Sequence, residues 1–461
     1  MEFLSYLFFA LPFVMALLLA IVVVVSVWSL ATTPTTGAVM VLVATSLEAA
    51  FVALPPIRVG INIFLGDLVS ILLALALLLR ARHYPWASPI GRSWLVFGLF
   101  MFASFFVGLA KFGVAAGSDF RTYFFYFWAG VAYFLAFDIS PQQLARIRSV
   151  FIGAAVFIGL LACARWGAWL GGVDLGPFQA RVVDGNNFRV VSAGHAVVIA
   201  VGALFLMQRW LLRESGLGAA ALSTLMLLVV LALQHRSVWG AVILGFLGLI
   251  AMQRKQLGRG GGAVLWVILG VAVLLAPLLL LGVGSGVQQS VGGSVQEAFA
   301  SRSTFTGRFE GWRNLLTEWS AGGIQSYVAG QPFGSGYARQ QQGFTVSWTP
   351  HNYYVHVLLR TGVFGLLAML FAFLLAAIRL IGARNSSGAV WMPALLALIV
   401  LELAFFVPYS ALFEQAIFCG MALSVAARLA PKAILPAERP WMHRATSLTS
   451  PGAPAGRWGR A

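Results

Sequence analysis

The sequence predicts an all-α, polytopic membrane protein of about 12–13 transmembrane helices with one large, partly helical segment on the outer side. Three observations predict it. Hydrophobic residues make up 60% of the 461 and charged residues only 10%, far from the balance of a soluble domain. Apolar stretches of about 20 residues, the length that crosses a hydrocarbon core, recur along the chain. Strand-like alternation is absent, and backbone amides in lipid must be bonded within their own segment, so the spans are helices.

In order, spans are expected near 5–30, 37–54, 61–80, 93–114, 121–138, 149–171, 190–208, 216–235, 238–253, 263–284, 352–378, 389–409 and 410–428. The first, from MEFLSYLFFALPFVMALLLA, has no basic leader and reads as a retained span. Arg80, Arg82 and Arg92 share one short loop, followed on the same side by Arg146 with Arg148, Arg209 with Arg213, Arg254 with Lys255 and Arg259, and Arg379 with Arg384. A basic tail completes the set, and that side should be cytoplasmic. The net charge of +16 is thus an orientation signal; the charges are scattered between spans, so no nucleic-acid partner is expected.

Four regions follow: 1–283, the helices of an N-terminal bundle; 284–350, an outer segment; 351–430, the C-terminal helices; and 431–461, a basic tail rich in Pro, Gly and Ala that should be disordered. The outer segment is too polar to span. In it Phe299, Phe309, Trp312, Leu315, Leu316 and Trp319 fall at helical spacing, which suits an amphipathic helix lying along the membrane surface. Cys163 and Cys419 lie inside apolar runs and suit packing rather than a disulfide or a metal cluster. No Asp-x-Asp or histidine cluster argues for a metal, and no cofactor is expected.

The stretch WTPHNYYVHVLLRTGVFGLL, residues 348–367, begins as a loop and ends as a span. Thr349 can cap a helix and Pro350 suits its first turn, which would put His351 at the outer helix end on one stripe with Gly362 and Gly365. The positive end of the helix dipole favours neutral imidazole, the state of a general base. His356 and Arg360 point away from His351 on that helix. Arg236, between two spans, Arg308 on the amphipathic segment, Arg189 at another helix mouth and Arg121 after a short loop all belong to the outer side. Converging arginines with few acidic partners suit a polyanion such as a diphosphate, though any one of them could be a snorkelling anchor. Glu48, Asp67, Glu402 and Glu414 could relay protons or simply pair helices.

His351-Asn352, nine residues, Gly362, two more and Gly365 resembles the H-[NSQ]-x9-G-x-x-G pattern of the O-antigen ligase family, which is close to the O-antigen polymerases. Gln234-His235-Arg236-Ser237-Val238-Trp239 resembles that family's arginine between two spans, and Thr306-Gly307-Arg308 with Trp312 its second arginine. The resemblance covers about 190–380 and implies a metal-independent, inverting membrane glycosyltransferase with a GT-C-like fold. Such an enzyme takes a glycan from undecaprenyl diphosphate to an acceptor hydroxyl, on lipid A core or a similar lipid-linked molecule, at the periplasmic face of the inner membrane. It implies His351 as the base and Arg236 with Arg308 as the groups that neutralise the diphosphate. Arg189, Asn352 and Trp312 would lie on the substrate side. A polymerase acting on a second lipid-linked repeat, for O-antigen or exopolysaccharide, fits the same motif. A transporter is disfavoured, because no pair of broken spans repeats in the two halves.

Overall fold

The computed structural model describes residues 18, 20–51, 54, 56–59, 61–179, 189–257, 302–341, 343–385 and 389–429. The predicted span 263–284, residues 5–17 of the first predicted span, Phe299, Arg259 and the tail 431–461 lie outside the described residues. Every other predicted span has a helical counterpart. The helices are α1 (Ala20–Thr32), α2 (Pro34–Ala50), α3 (Leu65–Leu79), α4 (Pro89–Phe112), α5 (Val114–Phe120) and α6 (Tyr126–Leu135). They continue as α7 (Pro141–Gly171), α8 (Ala193–Leu211), α9 (Leu217–Ala232) and α10 (Arg236–Leu257). Then come α11 (Arg302–Ala321), α12 (Gly323–Ala329), α13 (Tyr353–Gly382), α14 (Met392–Phe405) and α15 (Gln415–Arg428). Two small antiparallel hairpins, β1 (Ile57–Val59) with β2 (Ile61–Ile63) and β3 (Arg339–Gln341) with β4 (Phe344–Val346), are the strands among the described residues.

Local chemistry explains the boundaries. Ser140 caps α7 in a box with Gln143, Pro141 opens its first turn, and Gly172 ends it in the left-handed conformation (φ 66°, ψ 22°). Thr33 with Pro34 does the same for the start of α2. Among the described residues five helices, α4, α7, α8, α10 and α13, are long and apolar enough to cross a membrane. The longest apolar one after α7, α13, runs for 30 residues with a kink at Gly362. The apolar side chains of Leu99, Phe106, Phe364 and Leu374 point outward, a surface suited to lipid. By contrast α8 is enclosed by α7, α9 and α10, which is why its sequence is apolar on every face. The chain is an all-α, multi-pass membrane protein, and the stretch up to Leu429 forms one compact unit.

The two ends of the bundle differ in chemistry. At one end, arginines donate to the last carbonyls of neighbouring helices: Arg80 to Ala31 and Ala136, Arg379 to Ala426 and Ala427, Arg428 to Leu135. These are free acceptors at helix C-termini, where the dipole also favours a cation. Arg148 pairs with Glu214 at 2.7 Å and lies over the Trp391 ring at the same end. The basic residues that read as an orientation signal therefore also close helix ends. The opposite end carries the segments between α7 and α8, α9 and α10, α12 and α13, and α14 and α15, and there the candidate site lies.

Candidate functional site

The structure starts α13 three residues later than Thr349-Pro350 would set it. Asn352 is the cap, with an extended backbone (φ −161°, ψ 110°), and its Oδ1 accepts from the Val355 N–H at 3.0 Å. Tertiary contacts decide this. Arg339 holds the Trp348 carbonyl at 2.8 Å, the Ser410 hydroxyl reaches the Pro350 carbonyl at 3.4 Å, and the Tyr353 N–H donates to Phe406 and Tyr409 carbonyls at 2.8 and 3.1 Å. Those bonds hold the residues ahead of Tyr353 out of the helix. His351 consequently stands just ahead of the helix, exposed, its ring 6.3 Å from that of Tyr409.

The expected stripe of His351 with two glycines is thereby corrected. His351 is outside the helix, and Gly362 breaks it with φ 67° and ψ −172°. Both glycines nonetheless serve close approach: a Cβ at Gly362 would run into the Val328 carbonyl of α12, and one at Gly365 would crowd Thr361 and touch Phe100 of α4. The kink lets α12 lie against the outer part of α13. The segment behind it returns a backbone bond from the Gln331 N–H to the Leu359 carbonyl at 2.6 Å.

The residues that the sequence set aside are the most connected here. His356 and Arg360 are completely buried and face a network that joins three parts of the chain. Arg360 pairs with Asp119 of α5 at 2.9 Å and donates to the Tyr337 hydroxyl at 2.9 Å, to the Gly336 carbonyl at 2.9 Å and to Ser335. Tyr337 donates to Asp119 Oδ1 and shares a hydrogen bond with His356 Nε2; Gly334 N–H donates to Asp119 Oδ2 at 3.0 Å. With the Tyr337 O–H directed at Asp119, His356 is the Nε2–H donor, and its Nδ1 faces the Ser410 hydroxyl at 3.5 Å. A single π turn, Arg121–Phe125, swings Tyr123 and Phe124 edge-on to the imidazole. Burial pushes the Asp119 carboxyl up, but the His356 imidazole, the Arg360 guanidinium and the Tyr337 hydroxyl outweigh it and hold it at about 2. Burial pushes the Tyr337 phenol well above its usual range, so it stays a donor.

The amphipathic segment forms α11, and its apolar face goes onto protein. Trp312, Leu315 and Trp319 pack with Tyr337, Val355 and Leu359, while Phe309 is 60% exposed. Trp312, expected on the substrate side, and Tyr337 take buried places in this cluster; Trp348 keeps an exposed ring. Arg308 lies half-buried on α11, which packs on the first turns of α13, so it shares that side of the molecule with His351. Arg236 is the first residue of α10 and half-buried; its neighbour His235 meets the Val191 carbonyl at 2.9 Å, two residues from the half-buried Arg189. All four groups thus stand at the end of the bundle opposite Arg80, Arg379 and Arg428.

Arg121 is engaged by Asp67 at 3.3 Å and by the Asn62 carbonyl at 2.8 Å, which makes it a fastener of the β1–β2 hairpin. Asp67 also accepts from Tyr126 and from the Phe64 N–H. Arg165, unremarked in the sequence, donates to the Phe178, Val190 and Ala50 carbonyls at 2.8, 2.8 and 3.0 Å and ties three outer segments together. Among the described residues no group of three or more His, Cys, Asp or Glu is placed to hold a metal.

Residues 221–370 match the family model described as O-antigen ligase. The match, 150 of the 461 residues, supports a relation to that family. The matched stretch runs from α9 to the middle of α13 and holds Arg236, Arg308, His351 and the buried network's Tyr337, His356 and Arg360. No curated protein matches the sequence. The membrane-spanning helices and this match together support a multi-pass membrane protein.

Proposed function

We propose that this protein moves a glycan from undecaprenyl diphosphate to an acceptor hydroxyl, on lipid A core or a similar molecule, at the periplasmic face of the inner membrane. The observation that carries the reading is the setting of His351: exposed ahead of a long span, held by bonds to the residues on both sides of it, and at the same end of the bundle as Arg236, Arg308 and Arg189. In the reaction the imidazole takes the acceptor proton as the acceptor oxygen attacks the anomeric carbon. The bond to the diphosphate oxygen breaks with inversion, and the leaving diphosphate keeps the electron pair. Arg236 and Arg308 neutralise that developing charge, the role a divalent cation plays in metal-dependent transferases. Arg189 would add a donor to phosphate or sugar. Asn352 supports the base by ending the extended chain next to it, since its carbonyl oxygen is engaged in the cap.

The test offers purified protein an undecaprenyl-diphosphate glycan together with lipid A core or with a second donor molecule. His351→Ala should remain inserted and lose transfer. Full transfer by that variant removes the base from the scheme. Product on lipid A core identifies a ligase; extended glycan on the second donor identifies a polymerase.

A further inference from the structure

Tyr337 has no place in the scheme above, yet two routes run from it to the residues beside His351. The first is through its own backbone: Arg339 Nη1 donates to the Tyr337 carbonyl at 3.0 Å and to the Trp348 carbonyl at 2.8 Å, so one guanidinium joins Tyr337 to a residue three before His351. The second is through its side chain: the hydroxyl accepts from His356 Nε2–H, and the other ring nitrogen lies 3.5 Å from the Ser410 hydroxyl, whose single proton goes either to that nitrogen or to the Pro350 carbonyl at 3.4 Å. The hydroxyl is itself fixed by Asp119 from α5 and Arg360 from α13. The guanidinium carbon lies 4.1 Å from the centre of the phenol ring, which also fixes the ring.

We propose that Tyr337 is a positioning residue for His351, its hydroxyl locking the outer segment 330–350 onto α5 and α13 so that the exposed imidazole is held in one place. Tyr337 is buried and does not reach substrate, so it acts through the chain and not on the reacting atoms. A base that must meet both an acceptor hydroxyl and an anomeric carbon loses rate steeply when it is misplaced; about 1 Å can cost on the order of a hundredfold. His351 sits on a loop, where such precision needs outside support. The buried tyrosine supplies it by fastening that segment to α5 and α13 and, through Arg339, to Trp348.

This inference rests on His351 as the base, and the experiment separates the two. Tyr337→Phe keeps the ring in its cluster and removes the hydroxyl alone. Arg339→Gln cuts the other route and serves should the first variant fail to insert. Transfer from an undecaprenyl-diphosphate glycan is measured at varied donor concentration beside wild type and His351→Ala. The expected result is a fall of about tenfold or more in kcat, with KM within about twofold and the protein monodisperse. Wild-type kcat in Tyr337→Phe, with His351→Ala inactive, overturns the positioning role and leaves the base standing. A rise in KM matching the fall in kcat also overturns it, because general loosening would do that. Full activity in His351→Ala removes the base, and this role with it.

Discussion

Asp119→Asn tests whether the buried network stabilises the fold by its charge. The carboxylate is paired with Arg360 at 2.9 Å and bonded to the Gly334 N–H and Tyr337, and its pKa is lowered from an ordinary 3.8 to about 2. That fall is worth on the order of 2 kcal/mol at about 1.4 kcal/mol per pH unit. Removing one partner of a buried ion pair costs about 3 to 5 kcal/mol, because Arg360 would be left without its counter-charge. A chain of 461 residues gains about 1 kcal/mol per degree in unfolding entropy, so melting should fall by about 2 to 5 °C. The pH dependence carries a sign. With a depressed folded-state pKa, the contribution is complete above about 3.8 and is lost as pH falls toward 2. The gap between wild type and Asp119→Asn should be flat from about pH 8 to 5 and close below about pH 4. Thermal unfolding in detergent, followed by tryptophan fluorescence, measures it. Equal melting at neutral pH, or a gap that widens on acidification, refutes the reasoning.

Other outcomes follow from particular atoms. Gly362→Ala should lower the melting temperature more than Gly365→Ala does, because the first adds a left-handed strain of about 1 to 2 kcal/mol and a Cβ facing the Val328 carbonyl. Asn352→Ala should cost about 1 kcal/mol as a lost cap, with Asn352→Asp retaining most of it; equal losses in both would point to another role for the amide. Arg165→Lys should fail to replace the arginine in a melting assay, since one ammonium does not reproduce a fork that spans three carbonyls.

The helices could be read from the sequence because lipid makes them a local matter. Each span must bond its own backbone, so length and apolarity mark 89–112 and 353–382 to within about four residues, while 141–171 begins eight residues ahead of its apolar stretch because Ser140 and Pro141 start it outside the span. The arginine-rich loops were legible for the same reason, although their work in capping Ala31, Leu135 or Ala426 needed neighbours in space. That His351, Arg236, Arg308 and Arg189 stand at one end of the bundle was legible from the order of the spans.

What tertiary structure alone decided is which polar residues are spent inside. Thr349 and Asn352 are both good caps, and only the bonds from Arg339, Ser410 and Phe406 select the second and leave His351 outside the helix. Tyr337 finds Asp119 across 218 residues of chain, and no periodicity connects them. His356 and Arg360 face away from His351, as helical spacing requires, but whether that direction meets lipid, water or a carboxylate depends on α5 and the π turn beside it. Hydropathy is a property of each segment by itself; a buried hydrogen bond is a property of two segments, and it exists only once the bundle has brought them together.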